Sequence, residues 1–490
     1  MPAAPKPERL VLHEDRCFDP APAVRRVARA LYAETRSLPI VSPHGHVDPR
    51  ILAEDTPFPE PTALIVTPDH YVLRMLYAHG IPLEALGVPR TDGTTVETDP
   101  RIVWQRFAEH YELFQGTPTG AWLDYEFFEV FGIRVRLTAA TASRIYDEIQ
   151  EKLDTPEFRP RALFQRFKIE VLATTDRASD PLTHHRAIRA SRWPGRVIPT
   201  FRPDALFRIG APGWPAELEA LAQAHGAAIE DYPGFVRALA ERRAFFKRMG
   251  ATATDHAVRE PYTARLEPEE ANRLLQAARR APVTRADERR FEAHLLLEMA
   301  RLAVEDGLVM QIHPGAWRDH NGPLFERFGP DRGGDIPVAT EFTENLRPLL
   351  NAYGNDARFT LVLFTLDEST YSRELAPLAG HYPAVRLGAP WWFHDSLFGM
   401  TRFRERTLET AGIYKTAGFT DDTRAFCSIP ARHDLARRVD ANVLAGLVAR
   451  HVIALPDARR LARALAYDRA RETYKLDRAT QSVGQFATTQ

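Results

Sequence analysis

Cysteine is almost missing from this chain: Cys17 and Cys427 are the only two among 490 residues. That excludes a disulfide framework and a cysteine-rich zinc site, and a reduced, intracellular protein is expected. Long apolar runs are lacking as well. No stretch approaches the roughly 18 consecutive apolar residues of a membrane span. The first residues, Met1-Pro-Ala-Ala-Pro-Lys-Pro-Glu8, have no apolar core of the secretory kind. Neither sign of charge is in surplus: 64 Lys plus Arg against 65 Asp plus Glu leave a net charge of −1. Without a global basic field, nucleic acid and anionic membranes drop out as partners. Small charged molecules, which need only local charge, remain. The expectation is a soluble, cytoplasmic protein without repeats or low-complexity tracts, its tail after Leu476 loosely ordered.

What is present is an alternation. Short apolar runs ending in polar residues recur between long Ala/Leu/Arg/Glu-rich helical stretches: Pro39–His46, Glu170–Asp176, Arg196–Arg202, Ala251–His256, Leu308–His313, Phe359–Asp367, Ala384–Trp392 and Tyr414–Asp422. Eight such runs with helices between them are the signature of parallel βα units. They suit an α/β fold of the closed (β/α)8 TIM-type barrel, whose active site lies at the carboxyl ends of its strands. About 120 residues separate the first two runs, too many for one crossover helix, so a mainly helical insertion is expected there. The Pro-rich Thr56–Pro61 marks its entry, with helical material over Trp104–Gln115 and Ala139–Leu153. A smaller insertion spans about Ala205–Gly250, and Glu267–Arg279 and Arg289–Val304 read as outer helices. The division expected is 1–50 (amino-terminal segment and first strand), 51–165 (insertion), 166–476 (remaining barrel) and 477–490 (tail).

The polar residues gather where apolar runs end: His44 and His46, Asp176, Arg202, His256, His313, Asp367, Trp391 and Trp392, and Asp422 with Arg424. Largely missing from strand starts, they point to one shared site. His44-Gly-His46 closes the first run, and alternate strand residues face one side, so both imidazoles present to one spot. Two neutral imidazoles so spaced suit a divalent metal such as zinc; ordinary strand-end histidines are the alternative.

In ordered blocks from about Phe18 to Tyr474 the chain resembles the uronate isomerase (glucuronate isomerase) family of the amidohydrolase superfamily. The blocks include His44-Gly-His46, Asp69-His-Tyr71, Trp122-Leu-Asp-Tyr-Glu-Phe, Thr174-Thr-Asp176 with His185, and Phe201-Arg202-Pro-Asp204. Asp255-His256, Met310-Gln-Ile-His313-Pro-Gly315, Gly388-Ala-Pro-Trp391-Trp392-Phe393, Asp422-Thr-Arg424 and Arg432-His-Asp434 complete the series. The resemblance implies a distorted barrel with a helical insertion. It also implies aldose–ketose isomerisation of a hexuronate such as D-glucuronate or D-galacturonate, by proton transfer between C2 and C1 through an enediol. Departures from the commoner pattern are Gly45 in place of Cys, His394 in place of Asn, Phe364–Ser369 in place of an Asn-Pro-Arg-like segment, and Ile429-Pro-Ala before Arg432.

On that resemblance His44, His46 and Asp422 are expected to hold one divalent metal, read as zinc. Asp422 is the candidate C2/C1 proton shuttle, a purely metal-binding role being the alternative. His44 and Tyr71 are expected to open the sugar ring. Arg424, on the same strand face as Asp422, is expected to stabilise the enediolate or hold the substrate carboxylate. Arg202, Trp392 and His313 are expected at the substrate; two adjacent Trp on a strand face opposite ways, and Trp392 is taken as the inward one. His313 would alternatively complete the metal shell, and His256 is a weaker candidate. Asp367 stands where binuclear relatives carry His, which argues for a single metal. A mononuclear metal-dependent hydrolase or decarboxylase is the alternative activity, and a homo-oligomer is allowed.

Overall fold

The aliphatic runs pair side by side in parallel, as buried strands rich in Val, Ile and Leu do. In the computed structural model, which describes residues 8–477, β1 is Ile40–Ser42 and β2 is Ile169–Ala173, resuming at Asp176–Arg177. β3 is Arg196–Ile198, resuming at Phe201–Arg202, and β4 is Ala253–His256. β5 (Val309–Ile312), β6 (Leu361–Leu363) and β7 (Val385–Leu387) follow. Each strand neighbours the next in parallel register, as in Val41↔Val171, Val171↔Arg196, Phe201↔Thr254, Thr254↔Met310, Met310↔Leu361 and Leu361↔Val385. An eighth arm, residues 416–423, lies between β7 and β1. Ala417 N–H donates to the Leu387 carbonyl at 2.8 Å, and His46 N–H donates to the Thr423 carbonyl at 2.9 Å. The architecture is a distorted (β/α)8 barrel.

The eighth arm is where the structure departs from the expected strand Tyr414–Asp422. Ile413–Lys415 is a 3-10 turn. Gly418 then takes φ +90°, pressed so close to the carboxy-terminal helices that a Cβ would lie 2.5 Å from Ala470 N. Asp422 is also left-handed, at φ 43°. Two positive φ values interrupt an extended run, so strand alternation does not place side chains here.

Elsewhere alternation sorts the residues cleanly. On β5 Val309 points into the barrel, while Met310 and Ile312 join the core beneath the outer helices. On β6 Val362 points inward and Leu361 and Leu363 outward. The barrel interior is thus filled by small apolar side chains such as Val41, Ala173, Ala253 and Ala417, a packed core rather than a pore. Its amino-terminal mouth is closed by Tyr474 and Leu476, both fully buried. Around them the Tyr467 hydroxyl donates to Glu170 at 2.5 Å and Lys475 Nζ donates to the Gly307 carbonyl at 2.8 Å.

Between β1 and β2 every regular element is helical, from Pro49–Glu54 to Pro160–Arg166. Proline opens these helices repeatedly: Pro49, Pro61, Pro100, Pro118 and Pro160 are each the first helical residue. That position needs no N–H partner and matches the fixed φ of proline. Asp48, Glu60, Asp99 and Thr117 cap four of these starts through their side chains. The helices pack on their own core around Trp104, Phe107, Phe114, Phe127 and Phe131. The described residues contain no helix long and apolar enough to cross a membrane. The tail from Arg478 onward lies outside the described residues.

Inside this layer Glu126 opens a π-helical turn, Glu126–Val130, and is 4% exposed. Burial, with Asp69 adding to it against Arg432, raises its carboxyl from 4.5 to about 8. Below the lower value Glu126 is protonated whether the chain is folded or not. Between the two values the unfolded chain loses that proton and the folded chain keeps it. Stability therefore falls as pH rises through this window and levels off above it. Wild type is expected to lose about 3–4 kcal/mol between about pH 5 and 8 that Glu126→Gln retains, as read from denaturant unfolding at the two pH values.

Candidate active site

His44 and His46 leave the carboxyl end of β1 in a loop gripped on both sides. Besides the bond from His46 N–H to Thr423, the Thr175 hydroxyl donates to the Gly45 carbonyl at 2.9 Å. A Cβ at Gly45 would stand 3.5 Å from Asp421 Oδ1 and from the Thr423 carbonyl, ordinary contact distances, so the departure at this position changes the space little. The grip turns both imidazoles onto one atom. Asp422 Oδ1 lies 3.4 Å from His44 Nε2 and 3.0 Å from His46 Nε2. It is buried, and neither contact has hydrogen-bond geometry.

Three ligand atoms shared by one tetrahedral cation about 2.0–2.1 Å away would stand about 3.3–3.4 Å apart. The separations of 3.0 and 3.4 Å, with an orphaned carboxylate oxygen between two imidazole nitrogens, fit such an ion. Burial disfavours the charged form of Asp422, but His44 and His46 outweigh it and hold the carboxyl well below its usual range. Burial also lowers His46. At His44 the same burial is overcome by Asp422 and Asp255, which raise it.

A second set of donors adjoins the first through His44: ligand atoms of His44, Asp255 and His313 lie within 4.8 Å of one another. Ring stacking holds them, with His313 4.6 Å from His44 and 3.8 Å from Phe364, and its edge on Trp391 at 4.8 Å. Burial depresses His313. Its Nδ1–H donates to Asp255 Oδ1 at 2.6 Å, while Nε2 has no partner and keeps its lone pair open. Burial opposes ionisation of Asp255, but His313, His44 and Arg202 hold it well below the carboxylate range. Arg202 Nε lies 2.5 Å from Asp204 Oδ2 and 3.6 Å from Asp255 Oδ2.

The insertion supplies a further wall. Tyr71, one residue into its helix, is buried edge-on against Trp122 at 5.5 Å and stacked on His70 at 4.4 Å. Burial raises its phenol, so Tyr71 keeps its proton at neutral pH. Arg432 underlies this wall, 3.6 Å from the centre of Trp122 and 2.5 Å from Asp395 Oδ2. Trp392 completes it against His70 at 5.8 Å, with the Arg318 guanidinium 4.9 Å from its ring centre.

His44, His46, Asp422 and His313 thus meet, as their strand-end positions suggested, with Arg202 reaching them through Asp255. Tyr71 borders them from the insertion. Arg424 is not set beside Asp422 by a common strand face, because no strand exists there; its guanidinium lies 3.4 Å from Asp331. Trp391 and Trp392 do not face opposite ways either. Trp392 has φ +56° and starts a 3-10 turn, which brings Trp391 onto His313 and Trp392 onto His70. His256 is on the outer face of β4, stacked on Phe207 at 5.7 Å, and its strand neighbour Asp255 enters the site instead. Asp176 shares the Thr174 hydroxyl with His185 in a separate buried cluster. Asp367 is occupied by the Ser369 and Thr340 backbone N–H groups. Two of the departures meet: His394 Nδ1 lies 3.0 Å from Glu368, and its Nε2 faces the Leu366 carbonyl at 3.0 Å. The sequence does not mark Asp255, Arg432 and Asp395 as site residues. Alternation from Ala253 was the available signal for Asp255; the other two gave none.

A family model described as glucuronate isomerase matches residues 23–474. A protein named uronate isomerase from Nostoc punctiforme is 54% identical over 468 residues, 95% of this chain and 99% of the relative. The crystal structure of a glucuronate isomerase from Caulobacter crescentus superposes with a TM-score of 0.94 at 49% identity, covering 96% of this chain and 98% of that one. A uronate isomerase structure from Thermotoga maritima gives a TM-score of 0.88 at 30% identity, over 95% and 99% of the two chains.

Removing Asp395 leaves the Arg432 guanidinium buried without its carboxylate. Asp395→Ala is expected to destabilise the protein by about 3–5 kcal/mol, measured by chemical unfolding; a loss below about 1 kcal/mol would show that water reaches Arg432.

Proposed function

The chain belongs to the glucuronate isomerase family, and on that footing we propose that it interconverts D-glucuronate or D-galacturonate with the corresponding keto-uronate. The observation that carries the assignment of roles is the Asp422 carboxylate oxygen enclosed between two imidazoles at the mouth of the barrel. Tyr71 and His44 open the sugar ring, the phenol giving its proton to the ring oxygen while His44, with Nε2 free of a cation, takes the hydroxyl proton at C1. Asp422 then removes the C2 proton through Oδ2, its other oxygen being turned to the histidines. The C2–H electron pair becomes the C1–C2 double bond and O1 becomes the enediolate oxygen. Return of the proton to C1, with the O2 proton passing to O1, leaves a carbonyl at C2. Arg424 holds the substrate carboxylate or the enediolate, and Arg202, His313 and Trp392 orient the remaining hydroxyls.

His44, His46 and Asp422 would hold one divalent cation, with zinc the reading that two imidazoles and a carboxylate favour. Bound there, such an ion supplies electrostatic stabilisation to substrate oxygens. Residues 51–165 act as one insertion that brings Tyr71 and Trp122 to the barrel mouth. The hydrolase alternative gains nothing from the comparisons, and Asp367, spent on backbone N–H groups, is no substitute for a sixth-strand histidine.

Incubation with each uronate in deuterated water, followed by NMR, is expected to show a ketose, with solvent deuterium entering at the carbon that receives the proton. Two unchanged sugars would overturn the substrate reading. Asp422→Asn should keep the fold and lower turnover by about 10²–10⁴-fold; full activity would remove Asp422 from the proton-transfer role.

A further inference from the structure

Gln311 sits fully buried in the middle of β5, between the inward positions of Val309 and His313. Its amide joins two groups from distant parts of the chain. The Tyr474 hydroxyl donates to Oε1 at 2.8 Å, and Nε2 lies 3.4 Å from His44 Nδ1. The other nitrogen of that ring, Nε2, faces Asp422. An unbroken line of contacts therefore runs from the segment closing the barrel floor to the far side of the His44 ring.

The two ends of this line differ in quality. The contact with Tyr474 is a well-formed hydrogen bond, whereas 3.4 Å to His44 and 3.4 Å to the Thr254 carbonyl are long for an amide donor. Turning the amide over exchanges its oxygen and nitrogen between the same two positions. Oε1 then faces His44 Nδ1, and Nε2 faces the Tyr474 hydroxyl. Tyr474 serves both arrangements, because a phenol donates to Oε1 or accepts from Nε2. The Thr254 carbonyl stands far enough off to tolerate either.

An imidazole that binds a cation through Nε2 carries its proton on Nδ1, and that N–H requires an acceptor. We propose that Gln311, anchored by Tyr474, is the positioning residue for His44. Its amide oxygen accepts from Nδ1–H when Nε2 holds a cation, and its amide nitrogen serves Nδ1 when Nε2 carries the proton. The proposal rests on reading His44 as a cation ligand.

The test is zinc affinity of the full-length, metal-stripped protein, measured with zinc chloride alone against a chromophoric chelator. Gln311→Leu, which offers no acceptor, is expected to weaken zinc by about 10–100-fold. Gln311→Glu, which offers one, should stay within a few-fold of wild type or bind tighter. Leucine binding like wild type, or glutamate as weak as leucine, overturns the proposal. Metal-free melting curves check that each variant folds. If Gln311→Leu does not fold, Tyr474→Phe carries the test: weaker zinc supports the anchor, and unchanged zinc overturns it. A wild-type protein that takes up no zinc would instead sink the reading of His44 as a ligand.

Discussion

A carboxylate withdrawn from water must be compensated or it will not stay ionised. Asp422 is such a group, and the imidazoles of His44 and His46 are its compensation. The pairing ties the first strand of the barrel to its irregular eighth arm, where ladder hydrogen bonding is thin. Closure of the barrel and assembly of the site are therefore one event. The bond from His46 N–H to the Thr423 carbonyl belongs to both.

The rest of the molecule supports that junction in shells. Small residues fill the inside of the barrel, and outward side chains of β5, β6 and β7 lock into the core beneath the outer helices. His313 and Asp255 stand between this scaffold and His44, bonded to one another and stacked on aromatic rings. The insertion contributes Tyr71 and Trp122 over the buried Arg432–Asp395 pair. Isomerisation needs a base, a proton donor and a charge stabiliser around one small molecule. In the proposed reaction they would come from the two sides of one mouth: barrel strands and a helical layer.

Where the backbone is regular, the sequence was readable. The runs at β4, β5 and β6 each contain the observed strand, and alternation sets His313 inward, as anticipated. The same rule, applied from Ala253, selects Asp255 over His256: the imidazole is the better-known metal ligand, but the carboxylate holds the inward position. The eighth arm defeated the rule because Gly418 and Asp422 adopt positive φ, leaving no common face for Asp422 and Arg424. Trp392 did so for the same reason. Arg432 and Asp395 were illegible in another sense: their pairing is a tertiary fact with no periodic trace. The family resemblance supplied what local pattern lacked, the presence of Tyr71 at the barrel mouth.

The plug formed by Tyr474 and Leu476 bears on how the protein matures. His44 leaves the ribosome several hundred residues before Asp422, and Tyr474 comes later still. Such distant pairings carry a high chain-closure entropy and are made late. Through most of synthesis the two histidines are therefore ordinary side chains on an unfinished sheet edge, with neither carboxylate nor floor. On the reading of these residues as a cation site, capture would be deferred until the polypeptide has closed on itself, when the geometry of the finished cavity, rather than whichever ion meets a nascent histidine first, would decide what is retained.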